Sequence, residues 1–338
     1  MFRAVVIVSR IALVCFAGLT TGFAAMAQDP EVDYFRIGTG SPAGTYFEVG
    51  ELLGGVISVP PGAASCGPGG HCGVKGMIAL AKDSAGSVAN ISGIAAGQYD
   101  SVLAQANVVE AAFFGRGPFI DEPHPNIRVI ASLYTESVHL VVSKDAAISS
   151  VVDLKGKRVS VDTAQSGTYG DALLILDAFG IGRDQAEVVE LDYEQASDRL
   201  AAGELDAYFL VTGFPSSGVA ALAAKGGVDI VPITGEPVAT LRKQQGYFVK
   251  STIPAGTYEG IGEVTTLGIG AQWITRADHD EQRVYEIARA LWHPTTREML
   301  AKGHERAKDI QVEAALQGVT IPIHAGALRY YLEAGILE

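Results

Sequence analysis

Cysteine is scarce in this chain, with three among 338 residues. Cys15 sits inside an apolar run near the start, which leaves Cys66 and Cys72 for the rest. Two sulfurs with His71 beside them lack a fourth ligand at any usual zinc spacing, so no metal site is read here. In an oxidising compartment the pair reads as a disulfide around Gly67-Pro68-Gly69-Gly70-His71. So short a loop is stiffened more than the fold is stabilised. Positive charge is also scarce, with 25 Lys and Arg against 38 Asp and Glu. That balance repels nucleic acid and anionic lipid, and neither is expected as a partner. An anionic ligand would have to be held by local donors. Catalytic signatures are missing as well. There is no G-x-S-x-G elbow and no H-E-x-x-H. The histidines (71, 124, 139, 279, 293, 304 and 324) include no i, i+4 helical pair, and no carboxylate pair stands out as a dyad. No enzyme and no cofactor is expected.

What is present begins with an export signature. Arg3 and Arg10 precede an apolar run from Ile11 to Phe16 and on through Ala24. Ala25-Met26-Ala27 then puts small residues where a signal peptidase reads, so cleavage after Ala27 is expected. The run is too short and too rich in Gly and Thr for a stable membrane span. Cleavage would leave 338 − 27 = 311 residues with 23 basic and 38 acidic side chains, a net charge of −15. That length suits two domains.

Strand and helix patterns alternate along the remainder. Strands read at 34–37, 74–81, 100–105, 127–133, 138–143, 158–161, 188–191, 206–211 and 229–233. Helices read at 45–57, 87–96, 107–114, 167–179, 193–202 and 216–224, with a mostly helical end from His279. Such alternation predicts an α/β fold with parallel sheets covered by helices. No polar linker separates two domains, which fits lobes that exchange strands through a hinge. There is also an internal echo. Gly44-Thr45-Tyr46 and Gly167-Thr168-Tyr169 each open a helix. Gly97 precedes Asp100, and Gly203 precedes Asp206, by the same interval.

Four turns invite a ligand. Gly38-Thr39-Gly40-Ser41-Pro42-Ala43 matches G-x-G-x-x-A, but no acidic residue follows a second strand at the distance a dinucleotide needs. The same turn suits any anion, because free N–H groups and a positive dipole end lie behind it. Ser41 and Thr45 add hydroxyls, and Ser41 also reads as a plain helix cap with Pro42 at the first helical position. Ala164-Gln165-Ser166-Gly167-Thr168-Tyr169 repeats these features in the middle. A carboxylate could be held between two such ends. Ser87 reads as a helix cap with Asn90 one turn inside. Thr212-Gly213-Phe214-Pro215 ends a strand on the carboxyl side of a sheet, where ligands sit in doubly wound folds.

Together these blocks resemble the TAXI-type solute receptors of TRAP transporters. The similarity runs through Phe35-Arg36-Ile37-Gly38-Thr39-Gly40-Ser41 with Gly44-Thr45-Tyr46, then Gly86-Ser87-Val88-Ala89-Asn90 with Leu103-Ala104-Gln105. It continues through Asp153-Leu154-Lys155-Gly156-Lys157-Arg158-Val159, Ser166-Gly167-Thr168, Gly203-Glu204-Leu205-Asp206-Ala207 and Gly213-Phe214-Pro215. The blocks are in order and cover most of the chain. The resemblance implies a two-lobed, type II-like periplasmic-binding-protein fold with a hinge and an inter-lobe cleft. Lobe 1 would hold 28–135 and 236–338 and lobe 2 would hold 136–235, with crossings near 134–137 and 233–237. It implies a periplasmic monomer that delivers glutamate, glutamine or a related dicarboxylate to a TRAP permease, driven by an ion gradient. Ligand contacts would fall on Ser41, Thr45, Tyr46, Ser87, Gln105, Ser166, Gly167, Thr168 and Phe214. A ligand-presenting sensor subunit is the alternative. The Cys66–Cys72 loop and Tyr169 depart from the family pattern.

Overall fold

The structure is a computed structural model that describes residues 32–64, 66 and 72–337. The expected export segment and His71 lie outside the described residues. The chain starts with β1 (Asp33–Gly38), α1 (Thr45–Ile57), a short pair β2 (Ser58–Val59) and β3 (Val74–Lys75), and β4 (Met77–Lys82). Next come α2 (Ser87–Ala95), β5 (Ser101–Gln105), α3 (Ala106–Phe114) and the long β6 (Ile127–Ser143). β7 (Arg158–Ser160), α4 (Gly167–Ala178), β8 (Glu187–Val189), α5 (Tyr193–Ala201) and β9 (Ala207–Thr212) follow. Then come α6 (Ser217–Ala224), β10 (Val228–Ile230), α7 (Glu236–Gln244) and β11 (Val249–Ile253). β12 (Val264–Arg276) leads to α8 (Glu281–Leu291), α9 (Pro294–Gly303) and α10 (Ala325–Glu333).

One sheet runs through the molecule in the order β4-β1-β5-β12-β6-β9-β7-β8, with β10 beside β6 and β11 beside β12. At each end the pairs are parallel, β1 with β4 and β5, and β7 with β8 and β9. β5 and β9 are buried along their whole lengths, as strands covered on both faces must be. The centre is antiparallel, because β6 and β12 run in opposite directions through both halves. β6 pairs with β12 from Ile127 to Ser137 and with β9 from Ser137 to Val142. The two strands read from the sequence at 127–133 and 138–143 are therefore one.

The apolar cores define two lobes. Phe35, Val49, Leu53, Leu103, Trp273, Val284 and Tyr331 share the first core. Val138, Leu140, Val159, Ile175, Phe209, Val238, Leu241, Phe248, Leu267 and Ile269 share a core in the second. The lobe boundary expected at 235 falls between β10 and α7. Around it, Ile233 N–H bonds Thr265 O (3.1 Å) and α7 packs on α4. On β12, Gly268 and Gly270 face Ser137 and Thr135 of β6. A Cβ on Gly268 would fall 2.7 Å from Thr135 Cγ2, so this closest approach of the crossing strands needs glycine.

Both lobes use the same clamp. Arg36 Nε of β1 binds Asp100 Oδ2 at 2.9 Å, and its Nη2 donates to Gly97 O at 3.2 Å. Arg158 Nε of β7 binds Asp206 Oδ2 at 3.2 Å, and its Nη2 donates to Gly203 O at 2.9 Å. The helix–Gly–Asp echo in the sequence is thus a repeated device that ties the first strand of each lobe to the strand beside it.

Candidate functional site

Four helices begin at one cavity between the lobes. Its volume is ≈ 270 Å³, close to the lower end of the usual range of about 300–1,000 Å³ for small-molecule sites. Eight of the nine residues expected to touch a ligand line it: Ser41, Thr45, Tyr46, Ser87, Gln105, Ser166, Gly167 and Thr168. Phe214 does not. Its ring lies under the Arg306 guanidinium at 4.0 Å and packs into the second lobe. Tyr169 faces another inter-lobe cavity of ≈ 980 Å³, which shares Ser166 and Gly167 with the first.

The helix ends differ from the cap readings. α1 starts at Thr45 with Gly44 at the cap position, so Ser41 is not its cap. The Ser41 hydroxyl donates instead to Glu194 Oε1 on the other lobe, at 2.8 Å. α2 is capped by Gly86 at φ +120°, and Ser87 is the first helical residue, with its Oγ accepting from Gln105 N–H at 3.1 Å. Glycine at both caps supplies no capping side chain; Thr45 N–H donates instead to Thr212 Oγ1 of the other lobe at 3.4 Å, and the positive ends of both helices still face the cavity. Ser166 does cap α4, accepting from Thr168 N–H at 3.1 Å.

The lobes meet around this cavity. Thr45 Oγ1 donates to Gly213 O at 3.1 Å, Ala89 N–H bonds Gln165 O at 3.0 Å, and Gly218 N–H bonds Ala43 O at 3.2 Å. A Cβ on Gly86 would lie 3.2 Å from Ser166 Cα, so the glycine permits this approach. Within the lining, Gln105 Oε1 is buried with no protein hydrogen-bond partner. A buried amide without a partner is the kind of group a ligand satisfies.

The charges of the lining are one-sided. Among the described residues it contains Asp83, Glu136, Asp162, Asp192 and Glu194, and no Lys, Arg or His. Asp83 and Glu194 are exposed, whereas Glu136 and Asp162 are buried. Burial pushes the Glu136 carboxyl up to about 8 and that of Asp162 up to about 6. Asp171, behind the cavity, is also raised by burial. Sequence reasoning did not single out Glu136, Asp162 or Tyr193, which also line the cavity. Glu136 is a lone acid within an apolar strand, and its neighbours read only as a hinge.

These shifts fix how stability varies with pH. Unfolded, the carboxyls ionise near the usual values of about 3.9–4.3. Folded, they hold protons to higher pH, so stability is greatest below the unfolded values and declines as pH rises through the folded ones. His139 acts in the opposite sense: burial lowers it to about 4, so its share of stability is lost as pH falls from about 6.5. The urea midpoint of the unliganded protein is expected to fall between pH 6.5 and 8.5. Glu136→Gln should flatten that slope, and an unchanged slope would contradict the assignment.

At the carboxyl side, Cys66 and Cys72 are bonded, with sulfurs 2.08 Å apart. The imidazole beside them is His293, the cap of α9, whose Nε2 lies 3.8 Å from Cys66 Sγ. Among the described residues, no helix is long and apolar enough to cross a membrane.

With this geometry in place, comparison with known proteins decides the family. The sequence pattern of the NMT1-like family matches residues 37–335. The chain belongs to the NMT1-like family. Its fold is shared with a solved protein of Bordetella bronchiseptica RB50, at 16% identity and a TM-score of 0.51, over 91% of this chain and 83% of that one. Also similar is the alkanesulfonate-binding protein SsuA of Xanthomonas axonopodis pv. citri bound to MOPS, at 16% identity and a TM-score of 0.48, over 89% of this chain and 84% of that one. This NMT1-like chain therefore shares the mixed α/β fold of the Bordetella protein, with helix ends aimed into the cavity described above.

Proposed function

We propose that the protein is a periplasmic solute-binding receptor of the TAXI type, which captures a small carboxylate between its lobes and delivers it to a TRAP permease. The observation that carries this reading is the convergence of glycine-capped helix ends from α1 and α2 with the Ser-capped end of α4 on one small cavity. The ligand carboxylate lies at these ends, beside the hydroxyls of Thr45, Ser87 and Thr168. The acidic side chains at the exposed side, Asp83, Asp192 and Glu194, have no cationic neighbour in the lining. They favour a ligand that also carries an ammonium group. An amino acid such as glutamine therefore fits better than a dicarboxylate. On the cores described above, lobe 1 comprises residues 32 to about 135 and 270 to 337, and lobe 2 the residues between. The lobes rotate about β6 and β12, closure buries the ligand, and the closed face docks on the permease as a monomer.

The test is the identity of small molecules released on denaturing protein purified from the periplasm without a dialysis step. Mass spectrometry should find one amino-acid-like acid per chain. Thr45→Ala with Thr168→Ala should weaken its binding by about 30-fold or more, since each loses contacts worth roughly 1 kcal/mol. A sugar or a metal ion as cargo, or an undiminished affinity, would contradict the proposal.

A further inference from the structure

Glu136 is the one carboxyl that projects from the crossing strand β6 into the cavity lining, and it is 2% exposed. Tyr46 of α1 donates its hydroxyl to Glu136 Oε2 at 2.6 Å. Among the described residues that line its cavity none carries a positive charge. Asp171 of α4 repels it, Asp162 shares its cavity, and Tyr134 precedes it on its own strand. Its pairing residue on β12 is Ile269, and β9 brings Leu210, Val211 and Thr212 to the cavity. The short 3-10 turn Glu305–Asp309 also packs on β6. Its Arg306 is held by Asp309 Oδ2 at 2.7 Å and lies over the Phe214 ring, and Glu48 of α1 lies on the same side toward Tyr134. A buried carboxylate with acids beside it and no cation is costly, and an anionic ligand makes it costlier.

We propose that Glu136 contacts the ligand as a neutral carboxylic acid, with Oε2 accepting from Tyr46 and the Oε1–H donating to the ligand carboxylate. This rests on the ligand class proposed above. It adds a donor that no sequence motif announces, and it makes capture dependent on a proton already held in the cavity. The burial that pushes this carboxyl up to about 8 supports the same protonation state. A carboxylate ligand stabilises the neutral acid further, so affinity is flat below that pH. Above it, affinity falls by about tenfold per pH unit, because the acid must first be re-protonated. An ammonium in the same place would need an ionised Glu136 and would give the opposite slope.

The experiment is calorimetric titration of the full-length mature protein with L-glutamine and L-glutamate from pH 6 to 9.5, for wild type, Glu136→Gln and Tyr46→Phe. Glutamine at position 136 cannot ionise, so its affinity should lose the alkaline fall that wild type shows. Tyr46→Phe removes a donor that favours the ionised form, so its alkaline fall should start at higher pH. A flat wild-type profile, or an alkaline fall that persists in Glu136→Gln, overturns the role of Glu136 and leaves the ligand class standing. No binding of either amino acid at any pH overturns the ligand class, and this role with it. Infrared difference spectra of the unliganded proteins read the proton directly. A carboxylic C=O band at pH 7 should be present in wild type and lost in a thermally intact Glu136→Gln, and an unchanged band pattern would refute the neutral acid.

Discussion

Gly213→Ala is expected to weaken ligand binding by about 10- to 100-fold while the protein stays folded. Gly213 follows β9 in the second lobe and touches two residues of the first. A Cβ there would lie 2.7 Å from Thr45 Cγ2 and 2.7 Å from Arg306 Cγ. Neither neighbour can step aside. Thr45 is fully buried at the start of α1 and β-branched, so its χ1 is stiff. Arg306 meets the methyl at mid-chain, with its head fixed by Asp309 and Phe214. Overpacking of this kind costs about 1–3 kcal/mol. The clash is between lobes, so only the closed state bears it, and about 1.4 kcal/mol of that cost is tenfold in affinity. Urea unfolding should move little. Small-angle scattering with saturating ligand should show the variant remaining more open than wild type. A variant that closes and binds like wild type would mean that the lobes do not need this contact.

Gly326→Ala should do the reverse, removing about 3 kcal/mol of stability with affinity unchanged in the molecules that fold. Gly326 lies in the first turn of α10, where His324 Nδ1 accepts its N–H at 3.1 Å. A Cβ at this position would sit 2.2 Å from Glu281 O and 2.6 Å from Tyr285 N, both backbone atoms of α8. Backbone cannot rotate away as a side-chain tip can. The helices must part, and Ala327 and Tyr331 then loosen from the core they share with Val284 and Ile287. The cost falls at or above the upper part of the usual overpacking range of about 1–3 kcal/mol. Equilibrium urea unfolding checks it, and a loss under 1 kcal/mol would contradict the close packing of α8 and α10.

The contrast between these glycines bears on what the sequence could reveal. Helix starts at Thr45 and Gly167 were legible because Gly, Ser and Thr at a strand-to-helix turn have a local cause. The parallel pairs of each lobe were legible from alternating strands and helices. β12 was not, because Gly268 and Gly270 interrupt its apolar pattern and glycine ordinarily argues against a strand. Its glycines answer to β6, far away in sequence, and no local rule can see that. In the same way α7 joins a core through its packing on α4, which no local pattern announces. In the site, hydroxyl and glycine residues stood out, whereas Glu136 and Asp162 did not. Their role comes from burial and from the lack of a nearby cation, which is a property of the folded cavity. Phe214 lies in the turn next to Thr212, and its ring points under Arg306.

The central claim is that this cavity holds a small acid with an ammonium group. Thermal unfolding against a panel of amino acids, dicarboxylates, 2-oxo acids and sugars tests it most directly. A ligand that binds only the folded state raises the midpoint with the logarithm of its concentration over its Kd. The account predicts a clear rise with an amino acid, smaller in Gly213→Ala at the same concentration, and little with dicarboxylates. A rise only with sugars, or none with any acid, would contradict it.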